Sequence, residues 1–134
     1  MRIFGPRPPD AQHTMEIITS GKNPKIRFLL ELQQKSQTRR ESGLFVVEGR
    51  REIEHCIEAG FGLDSLFICQ ASAQWASGLK TGGAPLFEVS DEAYSKIAYR
   101  ESTEGAVACF KSKACNLDDL VLPDNPLIVV LESV

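Results

Sequence analysis

The chain has 134 residues, 43% of them hydrophobic and 25% charged, with a formal net charge of −3. These values are those of one ordinary globular domain, long enough to bury a real core. They exclude a membrane-spanning helix, because no apolar run approaches the roughly 20 residues required.

The N-terminus has no apolar leader region, so the expected location is the cytoplasm. Cys56, Cys69, Cys109 and Cys115 form no CxxC pair, and His13 and His55 are the only histidines. Neither a disulfide scaffold nor a zinc site fits that spacing. We expect reduced thiols behaving as small hydrophobes, and no metal.

The net charge hides an asymmetry. Residues 22–51 carry eight basic side chains, Lys22, Lys25, Arg27, Lys35, Arg39, Arg40, Arg50 and Arg51, against Glu31, Glu41 and Glu48, a balance of +5. Residues 52–134 carry five basic and thirteen acidic side chains, a balance of −8. Such polarity marks either a face for a polyanion or a solvated surface with chance clustering.

Residues 1–14 are Pro-rich and without period, and are expected to be a disordered tail. Asn23-Pro24 reads as a helix start, Asn as N-cap and Pro at the first helical position. Apolar Ile26, Leu29 and Leu30, with Phe28 and Leu32 beside them, predict one helix from Lys22 to Arg40 packed on two surfaces. Its polar stripe pairs Arg27 with Glu31 and leaves Lys35, Arg39 and Arg40 without a local partner. Positive charge at a helix end is also favoured by the dipole, with no polyanion involved.

Gly43 breaks this helix, and Leu44-Phe45-Val46-Val47-Glu48 reads as a short buried strand. Glu48 is expected to accept hydrogen bonds from the start of the next helix, rather than act as a general base. Gly49 permits the tight turn into that helix, Arg50 to Gly60, with Ile53, Cys56 and Ile57 on its apolar face. His55 reads as a surface residue. Further strands are predicted at Ser65–Cys69, Leu86–Val89 and Ala106–Phe110. A helical piece at Ala71–Ala76 carries Trp75, read as a core-edge filler. Thr81–Pro85 is a loop without a phosphate-binding pattern. Ser90 caps a helix with Tyr94, Ile97 and Ala98 on its apolar face. Asn116–Leu120 is expected to form one helical turn, and Leu127–Val134 a last, strongly apolar strand.

Strands alternating with helices predict a three-layer α/β/α sandwich with a mostly parallel sheet. A final buried strand with no crossover after it predicts that a second domain begins there. The expected division is a tail at 1–14, an RNA-binding domain at 15–122, and a linker with the first strand of another domain at 123–134.

The run from Asn23 to Gly60 resembles the N-terminal substrate-binding domain of the SpoU (TrmH-type) RNA 2′-O-ribose methyltransferases. Asn23, Pro24, Arg40, Phe45, Val46, Val47, Glu48 and Gly49 match the family's opening. Glu101-Ser102-Thr103-Glu104-Gly105-Ala106-Val107-Ala108 is similar to its S-x-T-x-x-G-(I/V)-x-A loop. Thr103-Glu104 stand where many members have Pro-Gln, which adds negative charge there. Leu127–Val134 resembles the first strand of the family's knotted catalytic domain. The resemblance implies a fold like the kink-turn-binding ribosomal proteins and a role in presenting ribosomal or transfer RNA. For the full-length family member it implies S-adenosylmethionine, homodimers, and methyl transfer from the cofactor sulfonium to a ribose 2′-oxygen. The family's catalytic and cofactor motifs are absent from these residues, so no catalytic or cofactor-binding residue is assigned, and the chain alone is expected to be inactive.

The residues expected to meet RNA phosphates are Lys22, Lys25, Lys35, Arg39, Arg40, Arg50, Arg51 and Arg100. Two other readings stand beside this one: a stand-alone kink-turn-type RNA-binding module, and an α/β protein-interaction domain with an incidental basic cluster.

Overall fold

The computed structural model describes residues 15–69, 74–99 and 104–132. The expected tail at 1–14, part of the helical piece near Trp75, Arg100 and most of the polar loop after it lie outside them.

The described chain runs β1 (Glu16–Ile18), α1 (Pro24–Gln34), α2 (Ser36–Ser42), β2 (Leu44–Glu48), α3 (Arg50–Glu58), β3 (Leu63–Ile68), a 3₁₀ turn (Gln74–Gly78), β4 (Leu86–Val89), α4 (Asp91–Ile97), β5 (Ala106–Lys111) and a 3₁₀ turn (Leu117–Asp119). The five strands form one sheet in the order β1-β4-β3-β5-β2. β1 and β3 flank β4 in parallel, whereas β5 lies antiparallel to both β3 and β2.

The sheet is therefore mixed, and the expectation of a mostly parallel one holds in part. Four strands share a direction, yet two of the four ladders are antiparallel. The cause lies in α4. It starts at the strands' C-terminal end, where the Ser90 hydroxyl donates to the Thr19 carbonyl, and Tyr99 just beyond it still lies at that end, beside Glu48. The chain then enters the sheet from the end the other strands leave, so β5 must run backwards.

Period-2 alternation sends neighbouring side chains to opposite faces. In β5, Val107 and Cys109 face a core shared with Ile26, Leu29 and Leu32 of α1 and with Ala93 and Ile97 of α4. Ala106, Ala108 and Phe110 face a second core with Ile53 of α3 and Ala76 of the first 3₁₀ turn. Helices thus cover both faces, giving the three-layer α/β/α sandwich. Phe45, Phe61 and Phe110 form a ring cluster on the second face, with centroids 5.5 and 6.0 Å apart.

The single helix expected from Lys22 to Arg40 is two helices. Lys35 is extended, at φ −115° and ψ 111°, and separates them. No apolar residue lies between Gln33 and Gly43, and α2 buries none of its side chains. Nothing therefore holds the chain on the axis of α1. Asn23 caps α1 as expected, its side-chain oxygen accepting from Lys25 N at 2.9 Å. β1 was not anticipated; three residues are too few for a legible period.

Beyond the second 3₁₀ turn, residues 120–132 form no helix or strand, and Leu127 to Leu131 are all exposed. Of the strand expected at Leu127–Val134, residues 127–132 form none and are not covered by the described sheet or helices, and residues 133–134 lie outside the described residues. No helix of the described residues is long and apolar enough to cross a membrane.

Candidate nucleic-acid interface

β1 to β4 all leave the sheet at one end, and β5 enters there. That end gathers the start of α3, the start of α4, Tyr99 and the Glu104-Gly105 turn. Gly49 makes the sharpest connection. Its φ of 95° is one that side chains strongly disfavour, and it turns the chain from β2 directly into α3. Arg50 and Arg51 follow in the first turn of α3, both exposed. The Arg50 Nε donates to Glu54 at 2.9 Å, and its guanidinium lies 5.7 Å from the Trp75 ring centroid. The Trp75 indole donates in turn to the Glu104 carbonyl at 3.0 Å. Trp75 thus packs against the second core and anchors the turn into β5.

Glu48, expected to accept from the start of α3, is bonded by α1 and by the exit of α4. Its Oε1 accepts from Gln33 Nε2 at 3.1 Å and from the Tyr99 backbone N–H at 2.8 Å. The same Gln33 nitrogen also donates to the Ile97 carbonyl at 2.7 Å. One carboxylate therefore fastens the end of α1 and the exit of α4 to edge strand β2. Burial, together with the nearby Glu48 charge, raises the Tyr94 phenol above its ordinary value. Tyr94 is consequently a neutral hydroxyl at physiological pH.

Beside this junction lies a cleft of about 450 Å³. Leu32, Phe45 and Val46 line it, with Leu32 fully buried and the Phe45 ring turned to the second face, and Gln33, Arg39, Glu48 and Tyr99 form its polar rim. Arg39 is half-buried, and its Nη1 donates to the carbonyls of Leu32 at 2.6 Å and Gln33 at 3.3 Å. These are orphan carbonyls of the last turn of α1, so Arg39 caps that helix from α2.

The structure divides the predicted basic residues. Arg39, Arg50 and Arg51 lie around the Glu48 junction, with Arg40 exposed on α2. Lys35 stands between the helices, paired with Glu31 at 3.5 Å. Lys22 and Lys25 lie at the far end of α1, about 16 Å away at 1.5 Å per residue. Lys25 there bonds Glu16 at 3.3 Å, and its ammonium lies 5.3 Å from the Phe87 ring centroid. Exposed pairs of this kind are weak and leave the lysines available to another anion. Sequence reasoning missed Tyr99 and Gln33. An exposed aromatic next to Arg100 in a polar loop was a usable signal for Tyr99. The pairing of Gln33 with Glu48 left none, because it depends on how α1 crosses the sheet.

A second cleft, of about 350 Å³, is mostly apolar and includes Pro24, Phe28, Phe67, Pro85 and Phe87. Among the described residues no group of three or more His, Cys, Asp or Glu could hold a metal ion.

Residues 23–108 match the family model of the MRM3-like substrate binding domain. The chain belongs to that family. Its fold is also that of several solved structures. An RNA 2′-O ribose methyltransferase is 27% identical, with a TM-score of 0.69 over 83% of this chain and 43% of that one. The AdoMet-bound rRNA methyltransferase from Sinorhizobium meliloti is 25% identical, with a TM-score of 0.64 over 79% of this chain and 40% of that one. The SpoU methyltransferase AviRb from Streptomyces viridochromogenes, at 18% identity and a TM-score of 0.65, shares the fold over 76% of this chain and 40% of that one. No curated protein sequence gives a significant match. This chain spans about 40% of the length of the solved relatives. It is a substrate-binding domain of the SpoU/TrmH RNA methyltransferase type, as the sequence resemblance implied.

Proposed function

We propose that this domain binds structured ribosomal or transfer RNA and positions it for 2′-O-ribose methylation by an S-adenosylmethionine-dependent catalytic domain. The observation that carries the reading is the substrate-binding family match, coinciding with arginines gathered where the strands end. Arg39, Arg40, Arg50 and Arg51 supply phosphate contacts at that end, with Lys35 beside them and Arg100 next to Tyr99 in sequence. Lys22 and Lys25 form a second, separate contact at the start of α1. Phosphate contacts of this kind set the orientation of an RNA and carry little sequence information.

We assign S-adenosylmethionine to a catalytic domain, which residues 123–134 would lead into. In such a protein the exposed side chains from Leu127 to Leu131 would be covered, and the working unit would be a cytoplasmic homodimer.

The test is fluorescence anisotropy of labelled transfer RNA and ribosomal RNA fragments against the chain. Binding that weakens steeply with added salt supports the reading. No binding even at low salt would contradict it. Calorimetry with S-adenosylmethionine should give no heat of binding, and a saturable heat would overturn the assignment of the cofactor elsewhere.

A further inference from the structure

We propose that the cleft between α1, α2 and β2 receives one unpaired nucleotide of the RNA, its base against Val46 and Tyr99 and its phosphate on Arg39. The inference rests on the RNA-binding reading and names the feature of the RNA that this face takes up.

Size comes first. A volume of about 450 Å³ lies within the roughly 300–1,000 Å³ of small-ligand sites. Arg39 supplies the second element. A guanidinium has five N–H donors, and among the described residues only those of Nη1 are committed, to the carbonyls of α1. Those bonds hold the fork in place, so little side-chain entropy remains to be lost when the other donors take a phosphate. Arg40 is the next residue on α2 and is exposed, which extends positive charge outward from the cleft.

Tyr99 supplies the third. It is 87% exposed, yet its backbone is tied to Glu48 at 2.8 Å. An aromatic ring on a fixed backbone, without apolar cover and beside a cation, is a platform on which a base can stack. The wall opposite is short. Its accessible apolar side chain is the half-buried Val46, beside the charged Arg39 and Glu48, too little for the apolar face of a partner helix. A paired base keeps its faces inside the duplex, so only an unpaired one can enter.

The experiment compares two RNA hairpins of equal length, one fully paired and one with a single unpaired nucleotide, against the full chain. Wild type should prefer the hairpin with the unpaired nucleotide. Tyr99→Ala should cut that affinity roughly 5- to 100-fold without changing the salt slope or binding to the paired hairpin. Tyr99→Phe should restore it. The Tyr99 side chain is exposed and it is the backbone N–H that bonds Glu48, so the fold tolerates both changes. Equal affinity for the two hairpins, unchanged by Tyr99→Ala, would overturn the nucleotide site while leaving RNA binding in place. Failure to bind either hairpin would overturn the RNA-binding reading, and the nucleotide site with it.

Discussion

The carboxylate of Glu48 accepts the backbone N–H of Tyr99 at 2.8 Å across 51 residues of sequence, and the same oxygen holds Gln33 of α1. Removing it takes one acceptor from the half-buried Gln33 amide, which keeps the Ile97 carbonyl, and unties the backbone of Tyr99. Glu48→Ala should destabilise the fold by about 1–3 kcal/mol. Glu48→Gln keeps an acceptor oxygen and should lose less than half as much. Urea denaturation followed by Trp75 fluorescence checks both, and an alanine variant as stable as wild type would show that the junction is held by something else.

Arg39 and Arg40 are sequence neighbours with different tasks. Arg39 caps the carbonyls of α1, whereas Arg40 is exposed and makes no hydrogen bond or ion pair among the described residues. Arg39→Ala should therefore lower stability by about 1 kcal/mol, and Arg40→Ala by less than about 0.5 kcal/mol. Equal losses in thermal or urea melts would refute the capping role.

The four cysteines should separate by reactivity. Burial pushes the Cys109 thiol up to about 12, with the Asp64 charge adding to it, and burial also raises Cys56. Cys69 is buried, its Sγ donating to Asp91 Oδ1 at 3.0 Å, while Cys115 is exposed. A thiol reagent at pH 8 should titrate Cys115 quickly, and all four only after denaturation. Rapid native-state modification of Cys109 would contradict the packing.

The same burial sets an alkaline limit. The Cys109 thiol stays protonated in the fold, whereas in the unfolded chain it ionises near its ordinary value of 9.0. The unfolded state then binds fewer protons, so stability falls as pH rises from about 9 towards 12. Tyr94, also raised, adds to the loss at the upper end of that range. Cys109→Ser would exchange one buried polar group for another. The variant should flatten the lower part of this decline, and an unchanged profile would remove Cys109 as its source.

Local chemistry made much of the fold legible. Asn23-Pro24, Gly43, Gly49 and Ser90 each act through their own backbone or side chain within a few residues, and each sits where the sequence put it. β2 and β4 were likewise bounded by their neighbours. What escaped depends on long-range placement. The reversal of β5 follows from where α4 ends, and no periodicity records that. The break at Lys35 follows from missing apolar partners, while the basic run through Arg40 favoured continuing the helix. The Glu48–Gln33–Tyr99 junction joins three elements far apart in sequence. The basic residues were readable by composition, but not their division between the two ends of α1.

The central claim, that the arginines around the strand ends hold RNA by its phosphates, is tested most directly by RNA affinity against salt concentration. Wild type is compared with Arg40→Ala/Arg50→Ala/Arg51→Ala, with melting temperature as the control for folding. Each lost phosphate contact should reduce the slope of log K against log salt by roughly 0.7–0.9, so the triple variant should fall by about two units or more. Parallel lines for two equally folded proteins would contradict the account and leave the arginine cluster as a solvated surface.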